Sequence, residues 1–148
     1  MYVETGHIDV DDGVAVRTHA KACNLFGHSY KQYYPAMAKH PVDPELTIWF
    51  PKLYPNPEWQ NSLSEDGETL REVSKRNNAE HFNSFLKAYR EGKDIFKRIV
   101  FAHERDSAGA VMYRFKGLYV IDGEASIRTG VVTCRRQAKR VRTYAPSK

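Results

Sequence analysis

The sequence predicts an α+β fold, and three stretches carry that prediction. Residues 95–103 and 111–121 are two apolar, aromatic-rich runs joined by the polar turn Glu104-Arg105-Asp106-Ser107-Ala108-Gly109, a β-hairpin pattern. Ahead of them, Phe82, Phe85, Leu86 and Tyr89 recur at i, i+3, i+4 and i+7, the apolar stripe of a helix over 78–91 that Asn78 can cap and Gly92 can stop. Behind them, cations interleave with Val131, Val132, Thr133, Cys134, Val141, Thr143 and Tyr144, the composition of a strand rather than of a disordered tail.

The remaining elements follow in chain order. Asp9-Val10-Asp11-Asp12-Gly13 is turn chemistry between two short apolar patches, so residues 2–16 predict a small hairpin. Ala20, Cys23, Leu25 and Phe26 stand near helical spacing between a capping Thr18 and Gly27, which predicts a short helix over 17–26. His40-Pro41-Val42-Asp43-Pro44 breaks the chain. Leu46-Thr47-Ile48-Trp49-Phe50 reads as a strand ended by Pro51, and Tyr54-Pro55-Asn56-Pro57-Glu58-Trp59 as a loop. Residues 60–68 form an acidic turn closed by Asp66-Gly67. Periodicity leaves 69–75 open between strand and helix. Residues 122–130 predict a capped turn or two of helix. In the second hairpin run, period-2 alternation puts Val111, Tyr113, Phe115, Tyr119 and Ile121 on one face, with Arg114 and Lys116 on the other.

With 148 residues, 41% hydrophobic and 12% aromatic, the chain is expected to form one domain with a real core. Residues 1–44 would supply the hairpin, helix and loop, and 45–144 the sheet core with helix 78–91 and the basic C-terminal strand. No apolar run approaches the ~18–20 residues that span a bilayer. The first residues lack the basic-then-apolar pattern of a secretory signal, so a cytoplasmic location away from membranes is expected. Cys23 and Cys134 then read as buried free thiols.

Charge is segregated along the chain. From residue 128 to the end there are 7 Lys and Arg and no Asp or Glu, while the other 127 positions hold 16 basic against 18 acidic residues. Such asymmetry points to an anionic partner, double-stranded DNA first, against the plainer reading of a solvated basic end. The candidate phosphate-binding residues are Arg114, Lys116, Arg128, Arg135, Arg136, Lys139, Arg140 and Arg142. Phosphate contacts carry no sequence information, so specificity needs other groups. Tyr30, Tyr33, Tyr34, Trp49, Tyr54 and Trp59 are candidates to stack on an exposed base, with Asp66 and His103 to bond its edge. The rings have the alternative of simply packing at the core edge.

Catalytic and cofactor signatures are sparse. The sequence holds no H-E-x-x-H, no phosphate-loop or dinucleotide glycine pattern and no G-x-S-x-G, and no cofactor is expected. Asp9, Asp11 and Asp12 read as turn residues before metal ligands, and Cys23 with His28 lacks a second Cys pair. A small metal-dependent nuclease is the main alternative function, with Asp94 and Lys97, or Glu65, Asp66 and Lys75, as its residues. A protein-interaction or RNA-binding module with a basic face is another.

Four stretches resemble a known family: Trp49-Phe50-Pro51-Lys52-Leu53-Tyr54; Trp59-Gln60-Asn61-Ser62-Leu63-Ser64-Glu65-Asp66-Gly67-Glu68; Arg98-Ile99-Val100-Phe101-Ala102; and Tyr113-Arg114-Phe115-Lys116-Gly117-Leu118-Tyr119 with the later Arg140-Val141-Arg142-Thr143-Tyr144. They are similar to the PUA-like and SRA-like domains attached to bacterial HNH-type restriction enzymes, over residues 46–144. The resemblance implies a curved, mostly antiparallel sheet or small barrel with two or three flanking helices. It also implies a domain that grips DNA and, in the SRA case, holds a flipped modified cytosine between aromatic rings in a restriction or defence setting. The chain has no HNH motif, so cleavage would fall to a partner nuclease, and a dimer is open. The pocket residues named above rest on their chemistry and not on the family.

Overall fold

A computed structural model describes residues 6–54, 56–93 and 97–146. The start of the first hairpin strand (Ile95, Phe96), Asp94 of the nuclease alternative, residues 2–5 of the N-terminal hairpin and Lys148 lie outside the described residues.

The strands are β1 (His7–Asp9), β2 (Ala15–Val16), β3 (Met37–Lys39), β4 (Leu46–Trp49), β5 (Ser62–Leu63), β6 (Thr69–Glu72), β7 (Lys97–Arg105), β8 (Val111–Ile121), β9 (Val132–Ala138) and β10 (Arg140–Arg142). The helices are α1 (His19–Asn24), α2 (Asn78–Arg90) and α3 (Gly123–Thr129). An eight-stranded sheet runs β3-β4-β7-β8-β9-β6-β5, with β2 added against β8, and β1 pairs with β10 in a separate ribbon. The large sheet is open, which corrects the small-barrel alternative: β3 and β5 end it and do not pair with each other. The pairings between these strands are antiparallel except β4 with β7, which run parallel; the isolated bridges Phe26–Tyr144 and Lys52–His103 are parallel too. The crossover between them carries β5, β6 and α2.

Capping side chains start α1, α2 and α3, with one correction: the cap of α2 is Asn77 and not Asn78, whose side-chain amide instead accepts from Ser74 N and donates to Gly130 O. Thr18 accepts from Lys21 N at the start of α1, Asn77 from Glu80 N at α2, and Asp122 from Ala125 N at α3. Gly130 closes α3 in the left-handed region. Residues 69–75, which periodicity leaves open, begin as strand β6.

Two local expectations are corrected. The N-terminal patches do not pair with each other. A helical turn, Val10–Asp12, stands between them, and Gly13 (φ 66) turns the chain so that β1 meets β10 and β2 meets β8. The basic end is not one strand either: it breaks at Lys139, and β9 and β10 belong to different sheets.

Both faces of the large sheet are covered. Ile48, Ile99, Phe101 and Phe115 pack with Ala22, Cys23 and Phe26 on one side. Trp49, Val100, Leu70, Tyr119 and Cys134 form a second cluster on the other. Cys23 and Cys134 are buried and form no disulfide, one in each cluster. The expected single apolar face of β8 is therefore split. Opposite β7, Val100 pairs with Gly117 and Phe101 with Phe115, so Lys116 is the extra residue of a β-bulge. That one insertion flips the alternation and sends Phe115 to the first cluster and Tyr119 to the second.

The stripe of α2 belongs to neither cluster. Phe85 is buried, but the helix is tied to both ends of α3: Asn78 Nδ2 donates to Gly130 O at 3.2 Å, and the Tyr89 phenol lies over Gly123. It packs beside the sheet, not on its core, and from there His81 reaches Glu72 of β6 at 2.9 Å.

Candidate nucleotide-recognition hollows

Two adjoining hollows open beside β4. The first, about 470 Å³, is walled by Trp49, Phe50, Lys52, Trp59, Asn61 and Glu72, among others. The second, about 530 Å³, is lined by Arg17, His19, Tyr34, Phe50, Lys52, His103 and Tyr113, with Tyr33 also at its edge. They share Ala36, Phe50 and Lys52.

Sheet register builds the first hollow. Ser62 pairs with Arg71 and Trp59 bridges Ser74, so Asn61 lies across from Glu72. Trp59 and Asn61, two apart on an extended segment, share a face. The indole of Trp59 is braced edge-on by the His81 ring at 4.9 Å, and His81 Nε2 meets the Glu72 carboxylate. Across the hollow Trp49 is only 4% exposed, and the buried Arg98 guanidinium lies 5.0 Å from its ring centroid. Asn61 Oδ1 is enclosed and has no hydrogen-bond partner among the described residues. An enclosed acceptor without a donor is unfavourable by about 1–3 kcal/mol, so it favours a ligand that brings one.

A ladder of rings builds the second hollow. His19 stacks on Phe50 at 3.9 Å and meets Tyr113 edge-on at 4.6 Å; Tyr113 in turn stacks on His103 at 5.0 Å. His103 Nδ1 is 2.8 Å from the Tyr54 hydroxyl, and its Nε2 is enclosed without a partner among the described residues. Burial pushes the pKa of both histidines down, His103 further under the nearby charges of Lys52 and Arg105.

The predicted stacking residues thus divide. Trp49 and Trp59 meet in one hollow; Tyr33, Tyr34 and His103 line the other, with Tyr54 behind His103. Tyr30 lies stacked between His28 and Tyr33 and packs against the first core cluster. Asp66 is in neither hollow. Its carboxylate accepts from the Ser64 hydroxyl at 2.7 Å and Glu68 N at 3.0 Å, which is turn chemistry, and these bonds hold its pKa below the ordinary range. No cluster of three or more His, Cys, Asp or Glu among the described residues is arranged to hold a metal.

The predicted phosphate binders are mostly engaged within the chain. Arg114 and Lys116 share Glu104 at 3.2 and 2.8 Å. Arg135 pairs with Asp122 at 2.7 Å, Arg136 with Glu68 at 2.9 Å, Lys139 with Asp11 at 3.1 Å and Arg140 with Asp9 at 3.2 Å. Arg136 is a structural residue: its side chain is 7% exposed and it also donates to the carbonyls of Lys116 and Asp66. Arg142 lies 4.8 Å over the Tyr144 ring, and Arg128 is exposed at the end of α3. The cations on the hollows themselves, Arg17 and Lys52, come from outside the basic segment; Arg17 is paired with Asp106 at 3.2 Å, and Lys52 has no ion pair among the described residues.

Asp122 joins two roles, capping α3 and holding Arg135, whose bond is the main reason its pKa sits below 3.8. A carboxyl with a lowered folded-state pKa contributes stability above its unfolded value and loses it as pH falls through the folded one. Asp122→Ala should therefore cost about 1 kcal/mol at neutral pH. The gap to wild type should narrow below about pH 3.8 in urea melts.

The chain is an open α+β sheet with two adjoining hollows walled by rings beside β4. The SRA (SET and RING associated) domain model matches residues 1–143, and the chain belongs to that family. Among solved structures, the 5-hydroxymethylcytosine-specific restriction enzyme AbaSI superposes with a TM-score of 0.83 at 36% identity, covering 99% of this chain and 45% of that one. The DNA recognition domain of the cytosine modification-dependent restriction endonuclease LpnPI is far more distant, at a TM-score of 0.37 and 11% identity over 60% of this chain and 46% of that one. This chain thus spans less than half the length of either solved chain. No curated protein matches it. Among the described residues, no helix is long and apolar enough to cross a membrane.

Proposed function

We propose that this chain is a DNA-recognition domain that binds duplex DNA and takes one extruded, modified cytosine into the hollow between Trp49 and Trp59. The observation that carries the reading is the enclosed Asn61 Oδ1, across from Glu72 in the strand register, in a hollow that Trp49 and Trp59 also line. Cytosine presents an amino group, a donor, where thymine presents a carbonyl. An acceptor pair suits the first and is left unpaired by the second. The half-buried indole of Trp59 supplies a flat face on which an extruded base regains the stacking it loses in leaving the duplex, and the buried Trp49 closes the opposite wall. AbaSI is described as specific for 5-hydroxymethylcytosine, and we assign the same class of base to this hollow. The setting would be restriction, with the domain bringing a nuclease to modified DNA.

The test is equilibrium binding to duplexes that differ at one position, carrying cytosine, 5-methylcytosine or 5-hydroxymethylcytosine at fixed salt. The 5-hydroxymethylcytosine duplex should bind at least ten-fold tighter than the unmodified one. Equal affinities would overturn the reading.

Phosphate contact should be carried by cations that the fold leaves available. Lys52, exposed and on the rim of both hollows, is first among them. Lys52→Ala should weaken modified and unmodified duplexes alike and flatten the plot of log K against log salt by about 1, the share of one phosphate. Arg136→Ala, which removes a buried structural arginine, should act on melting temperature instead.

A further inference from the structure

We propose that the second hollow is also a nucleotide pocket, receiving the base next to the extruded one on the same strand, with the linking phosphate on Lys52. This rests on the reading of the first hollow as the base pocket. The two hollows adjoin, and Lys52 stands on the rim of both. On this reading the next phosphate of the strand lies over the shared wall, where Lys52 has no ion pair among the described residues.

The lining suits a flat heterocycle better than a bare anion. His19 Nδ1 donates to Pro35 O at 3.0 Å, because a carbonyl only accepts; the neutral ring is left with Nε2 as an acceptor. His103 Nε2 is enclosed and without a partner among the described residues. Both rings are edged or faced by Tyr113. At the mouth Tyr34 is 77% exposed, a large ring held in water beside the hollow. Two polar ring nitrogens, a rim cation and an exposed aromatic face together match a nucleobase with its phosphate. An isolated phosphate would leave the rings unused. Burial keeps the histidines neutral at physiological pH, which favours hydrogen bonding to a base over charge attraction.

The test places an abasic site immediately 5′ or 3′ of the modified cytosine and measures binding to wild type, Tyr34→Ala and His19→Phe. Tyr34 is outside the core, and phenylalanine keeps the stack on Phe50 while giving up the bond to Pro35 O, so melting temperature is measured beside binding. Without a second pocket, removing a neighbour lowers the unstacking cost of extrusion and should leave affinity unchanged or raise it. With one, an abasic site on one side should weaken wild type about five-fold or more, while the variants bind that duplex and the intact one within two-fold of each other. Unchanged or tighter binding of wild type to both abasic duplexes overturns the proposal, as does a loss that the variants share in full. The modified-cytosine preference, measured on the intact duplexes, reports separately on the first hollow.

Discussion

Trp59→Ala should lower affinity for a duplex carrying the modified cytosine by about 5- to 150-fold, since base–aromatic stacking is worth roughly 1–3 kcal/mol. Affinity for an unmodified duplex should fall far less, because phosphate contacts dominate there. The preference itself is therefore lost. Trp59→Phe keeps a ring against His81 and should retain most of it. Glu72→Gln keeps the shape beside Asn61 but replaces one acceptor by a donor facing the base amine. It should also reduce the preference, without moving the salt slope. Duplex titrations by fluorescence anisotropy at two salt concentrations separate these effects. A Trp59→Ala protein that still discriminates modified from unmodified DNA would place the base elsewhere.

Much of the frame was legible in the residues, because the signals are local. The stripe Phe82, Phe85, Leu86, Tyr89 marks α2, and the capping side chains of Thr18 and Asp122 mark α1 and α3. Trp49 and Trp59 were singled out as stacking candidates on residue type alone, and they do face one hollow. Asn61 was within reach, since it shares the face of Trp59 by alternation. Glu72 and His81 were not, because their place follows from the pairing of β5 with β6 and the packing of α2 beside it. His19 and Tyr113 belong to segments far apart in the chain that meet only through the pairing of β2 with β8.

Charge was the most misleading local signal. The basic end is segregated along the chain but not in space. Lys139 and Asp11, 128 residues apart, are paired, as are Arg140 and Asp9, because β10 lies against β1. The acidic N-terminal turn and the basic C-terminal ribbon are two halves of one contact. A count of charges by segment therefore overstates the field available to DNA, and the cations on the hollows are ones the count did not select.

Gly117→Ala should be the most damaging small substitution on the sheet. Gly117 has φ +120, a conformation that L side chains rarely adopt, and a Cβ there would lie 2.7 Å from Ala138 O and 2.8 Å from Arg136 Cδ. Backbone strain and overpacking each cost about 1–3 kcal/mol, so a loss of roughly 2–5 kcal/mol is expected, or about 5–15 °C in Tm. Gly109→Ala is the control: φ +84 is also strained, but nothing lies within 4 Å of the added methyl, and its effect should be smaller. The consequence reaches the site because of the bulge. Gly117 follows Lys116, the inserted residue that sends Tyr119 into the second cluster with Trp49, and the Tyr119 hydroxyl donates to Gly67 O at 2.6 Å. A shifted β8 would loosen the wall that Trp49 forms. Gly117→Ala protein that remains folded should therefore lose part of its preference for modified DNA, whereas Gly109→Ala should keep it. Thermal melts paired with duplex titrations decide the point: equal preference in both variants would show that the bulge does not support the hollow.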